Sequence, residues 1–295
     1  MNAKHLTLST ALFVSLLSSC AAAGPSAPSP FANLETLPPI RTVMECLPKE
    51  AALIAAHRGT SANYTEPENS ISALERLIEA GIMMAEIDIA AIADGTPVIF
   101  HDGVWDYHTD NTGPVVSTSR ETFSALRLID TNGKVTTETV PTLAAMLDAA
   151  KDRIYLEVDF KTSSDMANVI KMIRDRDMAD QVVLIATDDE EAVALSPYAN
   201  DFLMSLPRAE KREKTQAKQG VWIGARWIDG GEKRIADRHY VIGAQWQKNP
   251  AQLPKAAAAL DILVTDQAHR YAPVAELTKV AAFRNCLQAG DKTAG

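Results

Sequence analysis

Met84-Ala85-Glu86-Ile87-Asp88-Ile89, closed by a turn at Asp94-Gly95 and followed by Thr96-Pro97-Val98-Ile99-Phe100, decides the fold. Side chains along a strand alternate between faces, so Glu86 and Asp88 share one face and Ile87 and Ile89 the other. The isoleucines belong against a layer of helices. The acids then point to the inside of a closed sheet, near its mouth. Asp-Gly is a hairpin signal, so the run from Thr96 to Phe100 folds back as a short arm.

Working outward, seven more short apolar runs recur with helical stretches between them. They are Leu53–Ala56, Ile154–Phe160, Val182–Ala186, Phe202–Leu206, Val221–Ala225, Tyr240–Gln245 and Ile262–Thr265. Eight strands with helices between them predict a (β/α)₈ TIM barrel, with a short β-hairpin extension after the second strand. An open doubly wound sheet is the alternative, but no glycine-rich phosphate loop follows any strand. The helix after the first strand is capped by Asn69 or Ser70, carries Ile71, Leu74, Leu77 and Ile78 inward, and ends at Gly81. Leu143–Ala150, capped by Thr142, and Met166–Arg176 are further helices. Arg208 to Lys214 mixes charges and reads as a solvated helix face.

The chain has 295 residues, 46% of them hydrophobic and 23% charged, with a formal net charge of −9. No block of Lys and Arg could follow a nucleic-acid backbone, so nucleic acid is excluded as a partner. Residues 1–19 read as a lipoprotein signal peptide, with Lys4 and His5 before an apolar core too short to span a bilayer permanently. Leu17-Ser18-Ser19-Cys20 resembles the lipobox of bacterial lipoproteins, in which the cysteine is acylated. Ordinary cleavage within Ala21-Ala22-Ala23-Gly24 is the competing possibility. Residues 20–40 form a Pro/Ser-rich tether and 41–290 the barrel domain. The expected location is the bacterial envelope, with contact to the membrane through the lipid anchor only. Export places Cys46 and Cys286 in an oxidising compartment. They lie before the first strand and in the last helix, regions adjacent in a closed barrel, which predicts a Cys46–Cys286 disulfide. Two separate buried thiols are the alternative.

The chemistry sits in four short motifs: His57-Arg58-Gly59, Pro67-Glu68-Asn69-Ser70, Glu86-Ile87-Asp88 and His101-Asp102. Two carboxylates inside a barrel lose hydration and repel each other, so they call for a cation or a basic partner. Glu157, Asp159 and Lys161 share one face of Leu156-Glu157-Val158-Asp159-Phe160-Lys161, with Asp159 and Lys161 nearest the strand end where barrel active sites lie.

Order and spacing resemble the glycerophosphodiester phosphodiesterase family, whose pattern runs HRG, PEN, E-x-D, then HD after a D-G turn. Val140-Pro141-Thr142-Leu143 is similar to that family's I-P-T-L, and Leu260 to Asp266 to its last strand, D-G-I-I-T-D. Departures are Tyr107 in place of an arginine, Gln267-Ala268 in place of aromatic-Pro, and no clear match to a V-x-V-W-T-V-N strand. Trp227 or Trp246 is the expected aromatic wall of the pocket or a core residue.

The resemblance implies one divalent cation, Ca²⁺ or Mg²⁺, held by Glu86, Asp88 and a third acid. Keeping the family's lysine at Lys161 makes that acid Asp159; the other register makes it Glu157. It further implies His57 and His101 as the acid/base pair, Arg58 and Lys161 on the substrate phosphate, and Glu68 in or just outside the metal shell. The implied substrate is a small glycerophosphodiester or lysophospholipid, cleaved to glycerol phosphate and an alcohol. A sphingomyelinase-D-like or lysophospholipase-D-like activity is one alternative, because Asp159-Phe160-Lys161 fits its D-x-K. A catalytically inert, tethered binding lipoprotein is another. His5, His108, His239 and His269 match no motif position and read as structural or surface residues.

Overall fold

The computed structural model describes residues 37–48, 51–161, 163–207, 218–224, 239–244, 260–270, 283 and 285–287. Its strands are β1 (Leu53–Ala56), β2 (Met84–Ala91), β3 (Pro97–Ile99), β4 (Tyr155–Phe160), β5 (Val182–Ile185), β6 (Leu203–Pro207), β7 (Gln219–Trp222), β8 (His239–Ala244) and β9 (Ile262–Thr265). The helices are α1 (Ile40–Cys46), α2 (Ile71–Glu79), α3 (Arg120–Ala125), α4 (Leu143–Ala150), α5 (Met166–Arg174) and α6 (Asp189–Leu195).

Eight strands pair in parallel in the order β1-β2-β4-β5-β6-β7-β8-β9, and β9 pairs back to β1 in register Ala55↔Val264. The sheet is therefore a closed barrel. β3 runs antiparallel to the end of β2 (Ile89↔Ile99), the hairpin arm expected from Asp94-Gly95. Strand alternation sorts the core into two. Outward residues such as Ile87, Ile89, Leu156, Val158 and Leu184 pack against Leu74, Leu77, Leu143, Leu147 and Ile170 of the helices. Inward residues such as Leu53, Met84, Tyr155, Val183, Leu203 and Ile262 pack with Ile40, Val43 and Met44 of α1.

α1 plugs the N-terminal end of the barrel. Arg41 donates to the carbonyls of Lys218 (2.6 Å) and Phe202 (2.5 Å), immediately before β7 and β6, and of Ala199 (3.1 Å) in the turn leading to β6. Cys46 at the end of α1 is bridged to Cys286, with Cα atoms 5.7 Å apart across 240 residues of sequence. A bridge closing so long a loop restricts the unfolded chain. Replacing both cysteines with alanine is expected to lower the unfolding free energy by about 2–5 kcal/mol in urea titrations under oxidising conditions. Unchanged stability in the double variant would mean that the bridge constrains nothing.

Several element boundaries shift by one to three residues from the sequence expectation, among them the end of α5 at Arg174 and the start of β7. β7 begins at Gln219 rather than Val221. Buried Gln219 serves as a backbone substitute, accepting from Met204 N–H (2.8 Å) and donating to the Ala199 carbonyl (2.7 Å), which an apolar-run criterion passes over. Gly220 beside it has no room for a side chain: a Cβ would come within 2.3 Å of Ile242 Cδ1 and 2.8 Å of the Met204 carbonyl oxygen. The hairpin arm also opens into a small lobe with its own core. There Phe100, Trp105, Val115, Phe123, Leu126, Leu128 and Val140 pack on Ala90, Ile92 and Val98.

Among the described residues no helix is long and apolar enough to cross a membrane. The signal peptide, Cys20, the tether up to residue 36, Arg208–Lys214, Trp227 and Trp246 lie outside the described residues.

Candidate active site

The site lies at the C-terminal ends of the strands and is assembled from β1, β2, β4 and β9. Glu86 on β2 pairs directly with Glu157 on β4, and Asp88 with Asp159, so four carboxylates enter the barrel in two adjacent rows. Ligand atoms of Glu86, Asp88 and Asp159 all lie within 4.8 Å of one another. Glu157 shares the row of Glu86, one row deeper than Asp159, and is outside that trio. The register that aligns Lys161 thus gathers Asp159 with the β2 acids.

Each member of the trio is held. Glu86 Oε2 accepts from the Arg58 backbone N–H (2.8 Å). Asp88 Oδ2 accepts from Asn69 Nδ2 (2.8 Å), and the Asp88 N–H donates to Asn69 Oδ1 (3.2 Å). Asn69 is therefore a buttress for Asp88; the helix cap is Ser70, whose side chain accepts from Ala73 N–H. Lys161 Nζ bonds Asp159 Oδ2 (2.5 Å) and lies 3.2 Å from Asp88 Oδ1.

Burial first, and then the neighbouring carboxylates, raise the pKa of Glu86 well above the usual carboxylate value. Burial likewise raises Asp159, with Lys161 opposing it. Glu157, fully buried and near Asp159, is pushed up to about 8. Burial works against the Lys161 ammonium, but Asp88 and Asp159 outweigh it and its pKa is raised.

His57 and Arg58 occupy a tight turn after β1. Arg58 has φ +53° and Gly59 φ +63°, and this left-handed bend turns the Arg58 N–H onto Glu86. Non-glycine residues adopt that conformation at a cost of order 1–2 kcal/mol, and such bends recur at functional sites. Arg58 Nη1 donates to Glu68 Oε1 (2.8 Å), while its buried Nε has no hydrogen-bond partner among the described residues. Glu68 is thus an anchor for the arginine and stands apart from the acidic trio.

His57 Nδ1 meets Asp266 Oδ1 at 2.7 Å, from just beyond β9. His101 Nδ1 meets Asp102 Oδ1 at 2.7 Å. His101 follows β3, where Phe100 N–H donates to the Asp88 carbonyl (2.9 Å). A cavity of about 260 Å³ is lined by His57, Glu86, Asp88, Asp159 and Lys161 on one side, and by Ile185, Ala186, Thr187, Trp222 and Val264 on the other. His101 flanks the acidic row without being part of that lining.

Four residues carry roles that sequence alone left unassigned. Asp266 was visible only as the last letter of a strand motif, 209 positions from the imidazole it holds. Trp222 supplies an aromatic side chain to the cavity wall, while Trp227 and Trp246 lie outside the described residues. Asn69 reads equally well as a helix cap. His108, expected to be structural or surface, sits with Nε2 3.5 Å from Asp102 Oδ2 and 3.7 Å from Glu68 Oε1. His269 does behave structurally, its Nδ1 meeting Ser61 Oγ at 2.7 Å. Tyr107, where the family carries an arginine, is exposed.

A parallel barrel whose mouth joins an acidic trio to carboxylate-held imidazoles defines the class of site. The model of the glycerophosphoryl diester phosphodiesterase family matches residues 57–223, more than half of the chain, and the chain belongs to that family. It is 28% identical over 145 residues to glycerophosphodiester phosphodiesterase 1 of Mus musculus, covering 47% of this chain and 42% of the mouse protein. The match thus spans less than half the length of that relative. The fold is similar to a glycerophosphoryl diester phosphodiesterase structure from Parabacteroides distasonis, with TM-score 0.67, 19% identity, and coverage of 83% of this chain and 95% of that one. It is also similar to an Oleispira antarctica phosphodiesterase in complex with its product sn-glycerol-3-phosphate, with TM-score 0.56, 17% identity, and coverage of 75% and 95%.

Proposed function

We propose that this protein is a metal-dependent phosphodiesterase that hydrolyses glycerophosphodiesters to glycerol phosphate and an alcohol. The observation that carries this is the single cavity joining Glu86, Asp88 and Asp159 to Lys161 and an aspartate-oriented His57. The product held by the Oleispira relative supports the same substrate class.

Glu86, Asp88 and Asp159 fit a divalent cation. Their donors are all oxygens, and Asp159 Oδ1 is buried without a hydrogen-bond partner among the described residues. Oxygen donors suit Ca²⁺ or Mg²⁺, and such an ion, when bound, draws charge from the phosphodiester oxygens. Lys161 and Arg58 add positive charge where negative charge grows in the transition state. The Asp266 contact sets Nε2 of His57 as the nitrogen that exchanges protons, and Asp102 does the same for His101. One imidazole takes the proton from the nucleophile. The other gives a proton to the departing alcohol oxygen as the P–O bond breaks. The nucleophile is water, or a neighbouring substrate hydroxyl that first yields a cyclic phosphate. Export and lipid anchoring through Cys20 belong to the same proposal and place the enzyme at the bacterial envelope, where lipid-derived diesters are its substrates.

Purified protein is expected to release glycerol 3-phosphate from glycerophosphocholine, to lose that activity in EDTA, and to regain it with Ca²⁺ or Mg²⁺. Turnover unaffected by chelation would remove the cation from the scheme. Absence of turnover with glycerophosphodiesters and lysophospholipids alike would sink the enzymatic reading.

A further inference from the structure

His108 belongs to no motif of the site, yet it stands between the two carboxylates that hold the site's outer cationic and acid/base groups. Asp102 presents Oδ1 to His101 Nδ1 at 2.7 Å and Oδ2 to His108 Nε2 at 3.5 Å. Glu68 presents one oxygen, Oε1, to both Arg58 Nη1 at 2.8 Å and His108 Nε2 at 3.7 Å. The ring is half-buried and carried by the small lobe. Its backbone N–H donates to the Trp105 carbonyl (3.3 Å), its carbonyl accepts from Ile129 N–H (2.9 Å), and the Phe100 ring meets it edge-on at 6.2 Å.

Both carboxylate distances exceed a full hydrogen bond, and one N–H can serve only one acceptor well at a time. Glu68 Oε1 is therefore contested. Arg58 holds it in this structure through Nη1, and a fork onto a substrate phosphate that uses Nη1 together with Nη2 gives up at least part of that bond. A half-buried carboxylate abandoned in this way is costly unless another donor takes it. His108 is the donor within reach.

Resting on the phosphodiesterase reading above, we propose that His108 is a positioning residue. It receives Glu68 when Arg58 turns to the substrate phosphate, and it steadies Asp102 behind His101. Without it Arg58 stays paired with Glu68, and Asp102 and Glu68 face each other with no donor between them. Phosphate binding suffers before the chemical step does.

The test is a double-mutant cycle of His108→Ala with Glu68→Gln. It is read in kcat and KM for glycerophosphocholine, in glycerol 3-phosphate affinity by calorimetry, and in thermal midpoints. His108→Ala is expected to raise KM and weaken glycerol 3-phosphate about tenfold, with kcat changed less and the thermal midpoint nearly unmoved. His108→Gln, which keeps a side-chain N–H, should recover most of the loss. In the Glu68→Gln background, where Arg58 is already released, His108→Ala should change binding little. Additive effects, or an unchanged KM and affinity in His108→Ala, would overturn the proposal. A wild-type protein that binds glycerol 3-phosphate without hydrolysing any diester would sink the phosphodiesterase reading alone, and the binding arm would still decide the role of His108. A wild-type protein that does neither overturns both.

Discussion

His57→Ala is expected to lower kcat for glycerophosphodiester hydrolysis by about 10²–10⁴-fold with KM little changed, and His101→Ala by a comparable factor, the range typical of a lost general acid or base. The two imidazoles are oriented the same way but from unrelated parts of the chain. Nδ1 of His57 is held by Asp266 and Nδ1 of His101 by Asp102, each at 2.7 Å. A carboxylate accepts only, so it fixes the N–H on Nδ1 and leaves Nε2 to exchange protons. Asp266→Asn should therefore reproduce much of the His57→Ala loss, since an amide can donate and stabilise the wrong tautomer. Because both imidazoles serve one reaction, the double variant should lose much less than the product of the single losses. Steady-state kinetics on glycerophosphocholine at saturating Ca²⁺ or Mg²⁺ checks each step. Full turnover in His57→Ala and His101→Ala would remove both from the mechanism, leaving only the acidic trio and the cationic side chains to account for activity.

The parts of this site that were legible in the sequence are those set by local periodicity. Alternation along Met84–Ile89 put Glu86 and Asp88 on the inner face, because aliphatic neighbours at odd steps had to meet helices. The same alternation put Glu157, Asp159 and Lys161 on one face of the β4 run but left two registers open, and only the folded chain gathers Asp159 with the β2 acids. Asp94-Gly95 announced the hairpin, and the two cysteines announced their bridge through the barrel's closure. Other features came only from the folded chain, each for a physical reason. Asp266 reaches His57 because β9 closes onto β1, a contact with no local signature. Gln219 starts β7 because its amide replaces backbone partners, so hydrophobicity is a poor guide to that edge. The lobe after β3 has one short α-helix and a single 3-10 turn, with isolated bridges elsewhere, and packs around a tryptophan, which gives no sustained period to read. His108 depends on that lobe and was therefore out of reach as well.

Glu157→Gln is expected to make the protein more stable, by an amount that grows with pH. Glu157 is fully buried, and neither of its carboxylate oxygens has a hydrogen-bond partner among the described residues. Burial, and secondarily the nearby charge of Asp159, raise its pKa from 4.5 to about 8. The native state therefore keeps a proton that the unfolded chain has already released above about pH 4.5. Where the native state binds more protons, stability falls as pH rises. The loss begins above the unfolded value near 4.5 and is complete once pH passes about 8. At ~1.4 kcal/mol per pH unit, the gap corresponds to a destabilisation on the order of 5 kcal/mol at alkaline pH. Glutamine keeps the shape and cannot ionise, so it should match the wild type near pH 5 and exceed its stability clearly at pH 8.5. Urea unfolding in EDTA across that range measures the difference, the chelator removing any cation that would stabilise a Glu157 anion through its neighbours Asp159 and Glu86. Parallel stability–pH curves for the two proteins would show that Glu157 is charged in the folded state and has found a counter-charge inside the barrel.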